Sequence, residues 1–189
     1  MTVEPSDAEL VARCLEAKDA FEEIYRRHAP AVYAFLRGMH RGDEHAAADT
    51  LQETFFRAYR ALPRFDCARA LRPWLFTIAG NASLDALAKQ KRVEARDPEA
   101  IGELIGAARE AEPDERAVIG DTCASLLRAV RGRLPERKLA AFLLARGQGL
   151  SYAEIAEIHD CSAATVKRDL SDALAVLTGA ASELGLVGE

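Results

Sequence analysis

Cysteine is scarce and scattered in this chain: Cys14, Cys67, Cys123 and Cys161 show no Cys-x-x-Cys pair and no Cys/His ligand spacing. That distribution argues for reduced thiols over a disulfide frame or a zinc site. The histidines are equally dispersed, and His28 and His159 are expected in capping or solvent-facing roles near helix ends. No metal and no cofactor is expected. No apolar run approaches the roughly 20 residues that cross a bilayer, and the start, Met1 to Asp7, is acidic rather than a cationic export signal. A cytoplasmic chain without membrane insertion is therefore expected. Also missing are a Gly-rich phosphate loop, a Ser/His or Cys/His arrangement and carboxylates paired in a pocket context, so an enzyme is not expected.

What is present begins with charge. The net charge of −5 is unevenly spread. Residues 1–92 carry 14 Lys/Arg against 13 Asp/Glu, residues 93–122 carry 3 against 9, and residues 123–189 carry 8 against 8. The acidity thus lies in the middle, where Asp97-Pro98-Glu99 and Glu112-Pro113-Asp114-Glu115 have the composition of a flexible linker, with one weak helix about Ile101–Ala108. The expected plan is two small helical domains, 1–92 and 123–189, joined by an acidic tether at 93–122 that lets them move relative to each other.

Apolar residues recur at helical spacing throughout, with no strand pattern and no internal repeat, so the fold class is all-α. Ser6 to Glu9 forms a capping box opening a first helix through Leu15. Phe21, Ile24, Tyr25 and His28 continue the helical period after Asp19, and Pro30 is expected to bend or restart the next helix, which carries Val32, Tyr33, Phe35 and Leu36. A further helix, about Ala46–Leu62, puts Leu51, Phe55, Ala58, Tyr59 and Leu62 inside and leaves Asp49, Gln52, Glu53, Arg57 and Arg60 outside. Another takes in Pro73–Asn81 and ends in Lys89, Lys91 and Arg92, with Trp74 expected to pack rather than stack on nucleic acid. The stretch Leu150–Leu177 has the pattern of a helix-turn-helix. Ile155 and Ala156 share one face, Asp160 takes a left-handed turn, Ser162 caps the second helix, and Val166, Leu170, Ala173 and Leu177 face inward. Nucleic acid is the first partner such a motif suggests, against the plainer alternative of an ordinary helical hairpin.

Three blocks then combine: Asp49-Thr50-Leu51-Gln52-Glu53-Thr54-Phe55-Phe56-Arg57 with Arg72-Pro73-Trp74-Leu75 to Asn81 and Asp85; Leu134-Pro135-Glu136-Arg137; and Leu150-Ser151-Tyr152-Ala153-Glu154-Ile155-Ala156 with Thr165-Val166-Lys167. Together they resemble the second and fourth regions of bacterial sigma factors of the extracytoplasmic-function type, in the family's order. The resemblance implies a promoter-recognition subunit of RNA polymerase with two main partners, the core enzyme and promoter DNA. It assigns core docking to Asp49, Gln52 and Glu53, whose carboxylates and amide suit hydrogen bonds from arginines of a partner helix. It assigns minus-ten contacts to Arg64, Phe65, Arg69, Arg72, Asn81, Lys89, Lys91 and Arg92, with the loop Phe65–Leu71 as the capture site for a flipped base. It assigns minus-thirty-five contacts to Ser162, Ala164, Thr165, Lys167, Arg168, Ser171 and Asp172. The linker corresponds in position to the family segment that threads toward the polymerase active site.

The resemblance is imperfect in two places. Gly80 stands where the family often has a basic residue, and the recognition helix reads Arg168-Asp169-Leu170-Ser171-Asp172-Ala173 where arginines are usual. On a helical wheel Arg168 and Asp172 lie outward and can pair, while Lys167 and Asp169 flank them. Two carboxylates beside DNA phosphates imply weak or unusual minus-thirty-five binding, unless Asp172 accepts from a cytosine. Hence a second expectation: a sigma-like interaction protein that binds polymerase or an anti-sigma factor but has lost this reading.

Overall fold

The structure, a computed structural model, describes residues 5–16, 21–96 and 115–186. Eight α-helices are found among them: α1 (Asp7–Glu16), α2 (Phe21–Met39), α3 (Glu44–Ala61), α4 (Leu71–Arg96), α5 (Glu115–Ala129), α6 (Glu136–Phe142), α7 (Tyr152–Ile158) and α8 (Ala163–Glu183). No strand occurs among the described residues, and no helix there is long and apolar enough to cross a membrane. The weak helix expected at 101–108 lies outside the described residues. α4 and α5 enter the expected linker segment from either end.

Helices α1 to α4 form one bundle. Ser6 and Glu9 close the expected capping box, with the Ser6 amide donating to Glu9 at 2.7 Å. Leu10, Val11, Ile24, Val32, Phe35, Leu36, Leu75 and Phe76 are fully buried, and Phe35 meets Phe76 edge-on at 5.5 Å. Pro30 does not interrupt α2, contrary to the sequence expectation. A proline inside a helix costs about 3 kcal/mol, but Ile24 and His28 before it and Val32, Phe35 and Leu36 after it are buried on one continuous face. Each of the apolar ones contributes about 1.5–3 kcal/mol, enough to hold the two turns in line, while His28, expected in a capping or solvent-facing role, is buried inside α2 against Asp7. On α3, Tyr59 is more exposed than its periodicity implies, while Thr50 and Thr54 take up inner positions. Their hydroxyls donate back to the Ala46 and Thr50 carbonyls, both at 2.7 Å, so neither enters the core unpaired.

Helices α5 to α8 form the second bundle around Leu134, Leu139, Leu144, Ile155, Val166, Ala173 and Leu177. The two bundles also pack on each other, where relative motion was expected. α4 lies against α7, and α2 against α6 and the π-helical turn Leu143–Gly147 that follows α6. Gly38 permits the second contact: a Cβ there would stand 2.7 Å from Leu143 Cδ1.

Candidate nucleic-acid interface

The helix-turn-helix is built as its sequence requires. Ser151 caps α7 and shares a capping box with Glu154. Asp160 adopts φ 47° in the turn, a left-handed conformation that Asp tolerates. Ser162 then caps α8, accepting from the Thr165 amide at 3.1 Å. Ala164, Lys167, Arg168 and Ser171 are exposed and Thr165 is half-buried. Neither Lys167 nor Arg168 is engaged in an ion pair among the described residues.

The two aspartates of α8 sit where the wheel did not put them. Asp169 is 5 % exposed, turned into the turn beside His159, whose ring it pulls toward protonation. Asp172 is half-buried and accepts from Lys138 of α6 at 2.6 Å rather than from Arg168. The face that α8 offers is therefore cationic, and the electrostatic reason for expecting lost reading disappears.

His159 Nδ1 is buried without a partner, and His40 is buried between α2, α3 and α4. Thr50 Oγ1 spends its proton on the Ala46 carbonyl, so His40 Nε2, 3.0 Å away, must donate to it. Burial lowers the pKa of both rings, opposed at His40 by Asp43 and at His159 by Asp169. A depressed pKa means that the unfolded chain takes up protons first as pH falls. Stability is thus expected to be full above the ordinary histidine value of 6.5 and to decline below it. Urea unfolding at pH 7.5 and 5.5 checks this, and a chain more stable at the lower pH would contradict it.

On α3, Asp49, Gln52 and Glu53 are all exposed. Asp49 and Gln52 have no partner among the described residues. Glu53 accepts from Arg57 at 2.6 Å, and Arg57 also reaches Asp85 of α4 at 2.8 Å. Those carboxylates, Asp85 first, raise the pKa of Arg57. Phe56, 56 % exposed, lies next to this face with Arg60 over its ring at 5.6 Å. The sequence reading missed Phe56 because its neighbour Phe55 absorbs the periodicity.

The third group lies along the loop after α3 and down α4. Arg64 and Arg69 are exposed, and Phe65 packs on Trp74 with centroids 4.8 Å apart, so Trp74 is packing as expected. Arg72 stacks over Phe76 at 5.5 Å and donates to the Gln148 carbonyl of the second bundle at 2.7 Å. Asn81, Lys89 and Arg92 are exposed and share one stripe of α4, whereas Lys91 points roughly 110° away from the centre of that stripe at about 100° per residue. Lys91 instead pairs with Glu136 at 2.9 Å. A Cβ at Gly80 would meet nothing within 4 Å.

An exposed carboxylate and amide face, a cation-rich loop and helix, and a capped helix-turn-helix with a cationic outer face are the arrangement of a helix-turn-helix protein of the DNA-binding class. The sequence matches the family models of sigma-70 region 2 over residues 24–93 and sigma-70 region 4 over residues 125–177. It is 36 % identical to RNA polymerase sigma factor CarQ of Myxococcus xanthus over 77 % of this chain and 80 % of that one. It is 34 % identical to sigma factor SigM of Bacillus subtilis over 77 % and 85 %, and 32 % identical to the sigma-E factor of Escherichia coli over 88 % and 90 %. The fold is shared with CnrH, solved in complex with the cytosolic domain of CnrY, at TM-score 0.68 and 24 % identity over 92 % of this chain and 95 % of that one. It is also shared with RpoE of Bartonella quintana, solved with the anti-sigma factor NepR, at TM-score 0.64 and 22 % identity over 86 % and 96 %. The chain belongs to the extracytoplasmic-function sigma factors, the bacterial subunits that bind RNA polymerase and promoter DNA to initiate transcription.

Proposed function

We propose that the three surfaces divide the work of this sigma factor. Asp49, Gln52 and Glu53 on α3 dock on the core enzyme. The cations from Arg64 to Arg92, with Phe65, hold the minus-ten strand, and the N-terminal turns of α8, Ser162 to Ser171, read the minus-thirty-five element. The domains correspond to residues 1–92 and 123–189 with the acidic segment between, the protein acts in the cytoplasm, and it has no catalysis of its own. An anti-sigma factor, the kind of partner held by the solved Bartonella relative, is the further partner proposed.

The observation that carries this reading is the cationic outer face of α8, left to Lys167 and Arg168 because Lys138 holds Asp172 and Asp169 is buried. It favours promoter reading over the interaction-only alternative. Run-off transcription with purified core polymerase on a promoter pool tests it. Arg64→Ala with Arg69→Ala should reduce transcript at least tenfold, since each contact contributes about 1–3 kcal/mol, without changing core affinity. Equal transcript from this variant would remove the loop from the minus-ten contacts.

A further inference from the structure

Gly80 lies in the interior of α4, where glycine weakens a helix relative to alanine because it has more backbone freedom to lose. A left-handed backbone or a crowded Cβ would explain a glycine there, and neither applies. The positive-φ glycines are Gly42, Gly132, Gly149 and Gly185, and a Cβ at Gly80 would meet nothing within 4 Å. Gly38 is the contrast, since a Cβ there would stand 2.7 Å from Leu143. The fold therefore accepts a side chain at position 80, and the reason for its absence lies outside the chain.

The neighbours of Gly80 indicate what approaches it. Thr77, three residues before, and Leu84, four after, flank it on the same side of the helix, so bare backbone floors a notch between them. The Thr77 hydroxyl donates to the Pro73 carbonyl at 3.1 Å and Leu84 is an apolar side chain 40 % exposed, so neither wall offers a free donor. Asn81, the next residue, is exposed and without a partner among the described residues. Its amide holds a donor and an acceptor side by side, the pattern that a base edge matches. Lys89 and Arg92 continue the stripe that Asn81 begins. A narrow slot beside an unpaired amide, at the head of a cationic stripe, fits a flat base on a strand whose phosphates run along the cations.

We propose that Gly80 is a positioning residue for promoter reading: its missing side chain lets one unstacked base of the minus-ten strand lie against the α4 backbone, close enough for Asn81 to pair with the base edge. This rests on the assignment of Asn81 to the minus-ten strand above. A methyl group at position 80 fills the notch and carries the base away from the Asn81 amide, whose hydrogen bonds act only within about 3.2 Å. The same methyl group strengthens the helix. Stability and base reading therefore move in opposite directions, which a packing role for Gly80 would not produce.

Holoenzyme reconstituted from core polymerase and the full-length chain is run on a promoter pool randomised across the minus-ten element, and the transcripts are sequenced. Gly80→Ala should raise the thermal unfolding midpoint of the free chain by roughly 3–8 °C. In the holoenzyme it should weaken base preference at one position of the element at least fivefold, about the lower end of what one well-placed base contact discriminates, and leave the other positions unchanged. Gly80→Leu, which fills more of the notch, should deepen that loss. Asn81→Ala should erase preference at the same position, and Gly80→Ala combined with it should cost nothing further, as expected when two residues act through one contact. Gly179→Ala is the control: it adds a methyl group at an equally open glycine of α8 and should leave minus-ten preference as in the wild type. Preference kept by Gly80→Ala but lost by Asn81→Ala would overturn the notch and leave the minus-ten assignment standing, whereas preference kept by Asn81→Ala would overturn both. A loss spread evenly over all positions, a loss shared by Gly179→Ala, or a lower midpoint in Gly80→Ala would each return Gly80 to a structural role and overturn the proposal.

Discussion

Replacing Asp49, Gln52 and Glu53 together with alanine is expected to weaken binding to core polymerase at least a hundredfold while leaving the fold intact. Truncating one partner of a hydrogen-bonded charge pair at an interface costs about 2–5 kcal/mol, and about 2.7 kcal/mol is a hundredfold. The free chain has little to lose at these positions. Asp49 and Gln52 are exposed and without partners among the described residues, and the Glu53–Arg57 pair is a half-exposed one on the helix surface. Such a pair stabilises by only about 0.3–0.5 kcal/mol. Arg57 separates docking from orientation. It fixes the Glu53 carboxylate from one side and Asp85 from the other, so Arg57→Ala leaves the docking groups present but unbraced, and a smaller loss of roughly three- to tenfold is expected. Titration of labelled core enzyme, with thermal unfolding run alongside, gives both numbers. Unchanged affinity in the triple variant would take docking away from α3.

Local features of this chain were legible because they are written in residues three or four apart. Ser6 with Glu9, Ser162 before Thr165 and the left-handed Asp160 are all read from a short window and realised, and the capping box of Ser151 with Glu154, which was not singled out, is of the same local kind. The inner stripe of α8 is of the same kind. What was not legible depends on partners far along the chain. Pro30 sits in an unbroken helix because burial on both sides outweighs its local cost. Asp172 is neutralised by Lys138, 34 positions earlier, which no wheel drawn on α8 can show. Arg41 looks like an ordinary turn arginine until α5 and α6 cover it, with the Cβ of Ala124 2.7 Å from where one at Gly42 would be. The closed arrangement of the bundles was missed for the same reason, since it depends on Lys91 meeting Glu136 across 45 residues.

The two aspartates of α8, both expected from the sequence to stand near DNA phosphates, are expected to respond in opposite ways to the same substitution. Asp169→Arg puts a guanidinium at a position only 5 % exposed, where Arg137 already acts on His159 with a repelling charge and donates to its backbone carbonyl at 3.0 Å. An unpaired charge brought into such a site costs about 3–5 kcal/mol, a large share of the roughly 5–15 kcal/mol that holds an ordinary domain folded. Asp172→Arg acts at the surface. It removes the acceptor of Lys138 and leaves two cations near the DNA backbone where an ion pair had been, so the fold should hold and binding to duplex should tighten. If both cations reach phosphates, the slope of log affinity against log salt steepens by about 1.8, at 0.9 for each contact. Lys138→Ala is the reverse experiment, freeing Asp172 to repel phosphate and flattening the same slope. Urea unfolding of the first variant and duplex affinities of the other two at 50 and at 200 mM salt, about the range over which phosphate contacts are lost, separate these effects. An Asp169→Arg chain that unfolds like the wild type and binds duplex more tightly would return Asp169 to the DNA-facing side of α8.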